Sequence, residues 1–169
     1  MSADVEREEL FREVTSDWTG LISRVALSYE ANPALRRELV QDILLAVWLA
    51  LPSFRQESSL RTFVASIAQK RCISHVAKRA REPRQVELPD DLVSGNPRPD
   101  EILLRDDQKK HLVASIQLLP IPQREVIVLC LEGFSFNEVA DALGISPNAA
   151  MLRLQRAKTA LKAIMEQRS

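Results

Sequence analysis

The 169-residue chain has only four glycines, one tyrosine, two histidines and two cysteines, and its 23 basic side chains are balanced by 23 acidic ones. Each shortage excludes something. Few glycines, with little alternation of β-branched residues, argue against strand-and-turn architectures and for helices. Cys72 and Cys130 stand alone in helical patterns, with no Cys-x-x-Cys pair and no histidine at ligand spacing. Buried thiols in a reducing compartment are therefore expected, and no disulfide framework or metal site. His75 and His111 lie far apart in sequence, and no P-loop, dinucleotide-binding glycine pattern or His-Glu-x-x-His motif occurs. No enzyme chemistry and no cofactor is expected. The longest apolar run, Ile43 to Leu51, is too short to cross a bilayer, and the acidic start Met1 to Leu10 lacks the apolar core of a signal peptide. A cytoplasmic protein without membrane insertion is the expectation. Its zero net charge gives no overall pull toward nucleic acid.

Apolar residues at 46% and charged ones at 27% are enough for a packed, soluble core. The charges are segregated. From Ser53 to Arg84 eight basic residues face two acids, whereas the first sixteen residues carry five acids and two arginines. That distribution predicts local basic surfaces on a neutral chain.

Apolar spacing of three and four predicts one or two helices over about Val5 to Ala31, then a core helix from Ala34 to Leu51 after the Asn32-Pro33 break. Trp48 falls on the apolar face of that helix. Pro52 ends it, a polar loop Ser53 to Ser59 follows, and a third helix runs from Leu60 to about Arg81. The stretch Pro83 to Pro99 has four prolines and no helical period, which marks a linker. The expected fold is all-α: two small helical domains, 1–82 and 100–169, joined by the proline-rich linker 83–99. The second domain is expected to hold four helices, ending in a helix-turn-helix.

That motif is the clearest in the chain. Ser135 to Leu143 places Phe136, Val139, Ala140 and Leu143 on one face. Gly144 can close the helix in a left-handed conformation, Ile145 plugs the corner, and Ser146-Pro147 can open the next helix. The second helix buries Ala150, Leu154, Ala157, Leu161 and Ile164 and carries Arg153, Arg156, Lys158 and Lys162. Such a pair lays its second helix in the major groove; an ordinary helical hairpin with solvated charges is the plainer alternative. By turn angle, Asn148, Leu152 and Gln155 point away from the core, flanked by Met151 and Arg156.

Two longer segments carry a resemblance. Leu39 to His75, LVQDILLAVWLALPSFRQESSLRTFVASIAQKRCISH, resembles region two of the extracytoplasmic-function sigma factors of bacterial RNA polymerase. Leu119 to Lys158, LPIPQREVIVLCLEGFSFNEVADALGISPNAAMLRLQRAK, resembles their region four, in the right order and at the right separation. The resemblance implies core RNA polymerase, promoter DNA and an anti-sigma factor as partners. It implies that Glu38, Leu39, Gln41, Asp42 and Leu45 dock on the polymerase clamp helices. Phe54, Arg55, Gln56 and Ser58 would form the loop that receives a flipped base of the −10 element. Arg61, Lys70, Arg71, His75, Lys78 and Arg79 would line the melted strand. Asn148, Met151, Leu152, Arg153, Gln155, Arg156 and Lys158 would meet the −35 element.

The physical chemistry agrees with these roles. Flipping a base needs a snug pocket, and single strands are held by basic grooves with stacking rings, here Phe54 and His75. Phe54 serves equally well as a plug beneath the loop. No acid is spaced in sequence to partner His75, which fits a solvated or strand-facing ring. Two departures stand out. Arg36 and Arg37 replace the family's acidic run before Leu39, reversing the charge offered to the clamp. Met151 and Leu152 put apolar side chains on the recognition helix, suited to thymine methyls or to an anti-sigma partner. A polymerase-independent helix-turn-helix regulator and a helical protein-binding adaptor are the rival functions.

Overall fold

The computed structural model describes residues 2–83 and 103–168, and every regular element among them is helical. The N-terminal half comprises α1 (Ala3–Asp17), α2 (Thr19–Leu27), α3 (Pro33–Ala50), a 3-10 turn at Leu51–Ser53, and α4 (Leu60–Arg81). The C-terminal half comprises α5 (Leu103–Ile116), α6 (Ile121–Leu131), α7 (Phe136–Leu143) and α8 (Pro147–Arg168). Apart from Pro83, the expected linker 83–99 lies outside the described residues, as do residues 100–102.

Local chemistry sets the helix starts. Asn32 Oδ1 accepts the Ala34 and Leu35 amides at 2.9 and 3.2 Å, and Pro33 occupies a first-turn position that needs no N–H. Ser59 Oγ accepts the Thr62 amide at 3.1 Å to open α4. On α7, Ser135 Oγ accepts the Glu138 amide at 3.2 Å while Glu138 Oε1 accepts the Ser135 amide at 3.0 Å, a complete capping box. The Ser135 N–H holds the Glu138 carboxyl below its ordinary range. Ser135→Ala is expected to cost about 1 kcal/mol in urea unfolding. A depressed carboxyl stabilises the fold above its unfolded value and ceases to do so as pH falls through the folded one. The wild-type advantage over Glu138→Gln should therefore shrink in acid.

The corner between α7 and α8 follows the sequence reading. Gly144 sits at φ +69°, and a Cβ there would meet nothing within 4 Å. The left-handed backbone, and not crowding, is what selects glycine. Ser146 Oγ then accepts the Ala149 amide at 3.0 Å. Ala140, Ala150 and Ala157 are all buried, so α7 and α8 pack closely with little side-chain bulk between them.

In the N-terminal half the core is built from Val14, Ile22 and Val25 of α1 and α2, Leu39, Ile43 and Val47 of α3, and Val64, Ala68 and Cys72 of α4. Burial pushes the Cys72 thiol up to about 12, so it behaves as an inert small hydrophobe. Trp48 is half-buried beneath α1. The Arg7 guanidinium lies 4.0 Å from its ring centroid, and Phe11 meets it edge-on at 5.2 Å.

The all-α fold in two helical domains is as expected, and the two domains also pack against each other. α4 packs against both α7 and α6, and the two cores are continuous. This explains why α7 departs from the simple amphipathic pattern. Phe136 is 41% exposed, while Ala142, off the expected stripe, is 4% exposed because α7 is covered on a second side.

Candidate nucleic-acid interface

α8 offers the first surface. Ala150, Leu154 and Ala157 anchor it to the core, which leaves Asn148, Met151, Leu152, Gln155 and Arg156 exposed along its opposite side. Met151 and Leu152 remain 37% and 42% exposed, an apolar pair on the outer face of the helix. Arg153 is half-buried and stands at the edge of this face. Lys158 is exposed but lies on another side of the helix, lining a shallow groove with His111, Leu161 and Lys162.

The second surface is α4 with its preceding loop. Arg55, Gln56 and Glu57 are exposed at the loop tip, and Ser58 is half-buried. Gln56 has φ +60°, a conformation that a non-glycine residue adopts only when its surroundings hold it. Phe54 is half-buried, its ring 4.8 Å from that of Phe63, so it supports the loop from below and is not a free stacking platform.

Along α4 the basic residues divide into two sets. Arg71 makes a bidentate pair with Asp42 of α3, Nη2 lying 2.6 Å from Oδ2. His75 Nε2 lies 2.8 Å from Oε1 of Glu30, and Arg79 Nε lies 3.0 Å from the same oxygen. Glu30, in the α2–α3 turn, is therefore the acid partner that sequence spacing did not reveal, because it stands 45 residues from His75. Lys70, Lys78 and Arg81 are exposed and pair with no acid among the described residues.

On α3, Glu38 and Gln41 are exposed and Asp42 is partly so. Leu39, among the residues expected to dock, is buried in the core at 2% exposure. The exposed apolar residues are Leu45 at 55% and Leu49 at 65%, one turn apart on the same face. Leu49 escaped the sequence reading because it lies inside the continuous apolar run. Arg36 donates to the Ala31 and Glu30 carbonyls at 3.2 and 3.4 Å, which ties it to the α2–α3 turn, whereas Arg37 is exposed.

The contact between the two halves uses residues of α4, the second surface, together with α2. Arg24 of α2 pairs with Glu132 at 2.7 Å. That bond holds the Arg24 guanidinium above its ordinary range. Arg61, at the start of α4, donates to the Glu132 carbonyl at 3.4 Å and stacks 3.8 Å from the centroid of buried Phe134. Gln69 accepts from the Tyr29 hydroxyl and donates to the Glu125 carbonyl at 3.1 Å. Gln117 Nε2 donates to the Leu27 carbonyl at 2.7 Å. Among the described residues no group of three or more His, Cys, Asp or Glu is placed to hold a metal, and no helix is long and apolar enough to cross a membrane.

Residues 16–82 match the family model of sigma-70 region 2, and residues 111–161 match that of sigma-70 region 4. Together they cover more than two thirds of the chain, one match on each packed half. An all-helical protein with region 2 followed by region 4 is thereby defined. The chain belongs to the sigma-70 family, in its extracytoplasmic-function group. It is 31% identical over 153 residues to the extracytoplasmic-function RNA polymerase sigma factor SigG of Mycobacterium tuberculosis, covering 75% of this chain and 41% of that protein. It is 29% identical over 136 residues to the sigma factor ShbA of Streptomyces griseus, covering 77% of this chain and 71% of ShbA. The chain thus spans about two fifths of the length of SigG. The fold matches the sigma factor RpoE, solved in complex with the anti-sigma factor NepR from Bartonella quintana. The TM-score is 0.68 at 22% identity, over 92% of this chain and 95% of that one.

Proposed function

We propose that the chain is an alternative sigma factor that joins core RNA polymerase in the cytoplasm, selects a small promoter set and starts transcription. The observation that carries this reading is the pairing of two surfaces on one chain. Region 2 presents a loop and a basic helix, and region 4 presents an exposed recognition helix. In this reading α8 enters the −35 major groove through Asn148, Met151, Leu152 and Gln155, with Arg156 toward a phosphate. The Arg55–Ser58 loop receives a flipped −10 base, and α4 follows the melted strand. Leu45, Leu49, Glu38, Gln41 and Asp42 form the polymerase-docking face of α3. The chain supplies recognition, and the bond-forming chemistry belongs to the polymerase, so it is not itself an enzyme. An anti-sigma factor is its expected regulator, by analogy with the complex in which RpoE was solved.

Co-elution of the purified chain with core polymerase tests the docking. Leu45→Asp with Leu49→Asp is expected to abolish co-elution without lowering the melting temperature, since both side chains are already in water. Co-elution that survives both changes would place the docking face elsewhere. Arg37→Glu should tighten the complex, because it restores an acidic charge toward a basic clamp. Arg36 is excluded from that test by its bonds to the α2–α3 turn.

A further inference from the structure

Glu30 has no part in the recognition scheme above and Asp42 enters it only at the polymerase-docking face, yet the two acids engage three of the basic residues assigned to the −10 strand. Glu30 is the more committed. Its side chain is 6% exposed, Oε1 receives both His75 and Arg79, and Oε2 accepts the Asn32 amide at 3.1 Å. Asn32 in turn caps α3, so this carboxylate links the basic half of α4 to the start of α3. Asp42 holds Arg71 in an outer pair, with the side chains 40% and 44% exposed. Arg71, His75 and Arg79 recur every four residues and so share the face of α4 turned to α3 and the α2–α3 turn. Lys70 and Arg81 fall about 100° and about 80° from Arg71 around the helix, on the side away from His75 and Arg79, and Lys78, about 20° from Arg71 on that same side, stands at the boundary between the two sets.

We propose that Glu30 and Asp42 are positioning residues that remove Arg71, His75 and Arg79 from sequence-independent phosphate contact. The phosphate grip is thereby left to Lys70, Lys78 and Arg81. Every cation that neutralises a phosphate adds affinity for any sequence, and so dilutes discrimination between the −10 element and other single strands. The two carboxylates keep that contribution small. This rests on the reading that α4 faces the melted strand.

The test is titration of the full-length chain with a mixed-sequence single-stranded oligonucleotide over a salt series, followed by fluorescence anisotropy. Asp42→Asn releases Arg71 from an exposed pair and leaves the core untouched. It is expected to raise affinity at low salt and to steepen the slope of log affinity on log salt by about 0.7. Between 50 and 200 mM salt that is an additional loss of about 2.6-fold. Glu30→Gln should act in the same direction, and Asp42→Asn with Arg71→Ala should return the slope to the wild-type value. An unchanged or shallower slope for Asp42→Asn overturns the proposal, whether or not the Glu30 variant folds. Lys78→Ala with Arg81→Ala separates the two readings. If that pair weakens binding while Asp42→Asn has no effect, α4 faces the strand and only the present inference fails. If neither changes binding, the strand-facing reading of α4 fails with it.

Discussion

Glu132→Arg is expected to open the chain. In the closed form Glu132 faces the Arg24 guanidinium at 2.7 Å, and Arg61 bonds its carbonyl. Reversing the charge sets a third cation against these two, and like charges juxtaposed at an interface cost several kcal/mol. A compact chain of this length has a radius of gyration of about 15 Å, so scattering should show a clear increase above that value. Adding Arg24→Glu restores an ion pair in the opposite sense and should close the chain again. A radius unchanged by Glu132→Arg would mean that Phe134, Gln69 and Gln117 hold the halves together without the ion pair.

Opening matters because of distance. Elements centred at −35 and −10 are about 25 base pairs apart, or about 85 Å at 3.4 Å per base pair. A sphere with a radius of gyration of about 15 Å is only about 40 Å across. The closed chain is too small to occupy both elements. Residues 84–102, at 3.3–3.6 Å each, can reach at most about 68 Å, which together with the two halves is enough to span them. Closure also occupies Arg61, one of the residues assigned to the melted strand, with Phe134 and Glu132. The free chain should therefore bind a full promoter duplex weakly, and Glu132→Arg should accelerate its association with core polymerase.

The recognition helix gives the second large effect. Asn148→Ala and Gln155→Ala should each cost about 1–3 kcal/mol at one base position of the −35 element and relax preference there. Arg156→Ala should weaken all sequences about equally and reduce the salt slope by about one unit. Holoenzyme carrying each variant, transcribing a library randomised across −35, distinguishes these patterns. If the selected −35 sequence is the same for wild type, Asn148→Ala and Gln155→Ala, the base-reading face of α8 is wrongly assigned. Exposed Met151 and Leu152 would then be better explained as a protein-binding patch.

What the sequence made legible was what local chemistry controls. α4 runs over the residues that its apolar spacing indicates, and the Gly144-Ile145-Ser146-Pro147 corner is built from the backbone preferences of those four residues. What it hid were contacts between distant segments. Nothing near His75 announces Glu30, and nothing near Arg61 announces Phe134, 73 positions further on. Leu39 and Leu45 looked alike as apolar residues of one helix, yet one is core and the other is solvent-exposed. Periodicity marks the face of a helix, but the breadth of that face depends on how many neighbours pack against it. The same cause explains α7, which packs against α4 as well as α6 and α8 and buries Ala142 off the expected stripe.

Run-off transcription with purified core polymerase and a pool of promoter fragments tests the central claim most directly. The account predicts that core polymerase alone is silent on the pool. Adding the chain should yield transcripts starting from a small set of fragments with shared −35 and −10 sequences, and Leu45→Asp with Leu49→Asp should abolish them. Specific binding of the chain to duplex DNA without polymerase, with no transcripts when polymerase is supplied, would contradict it.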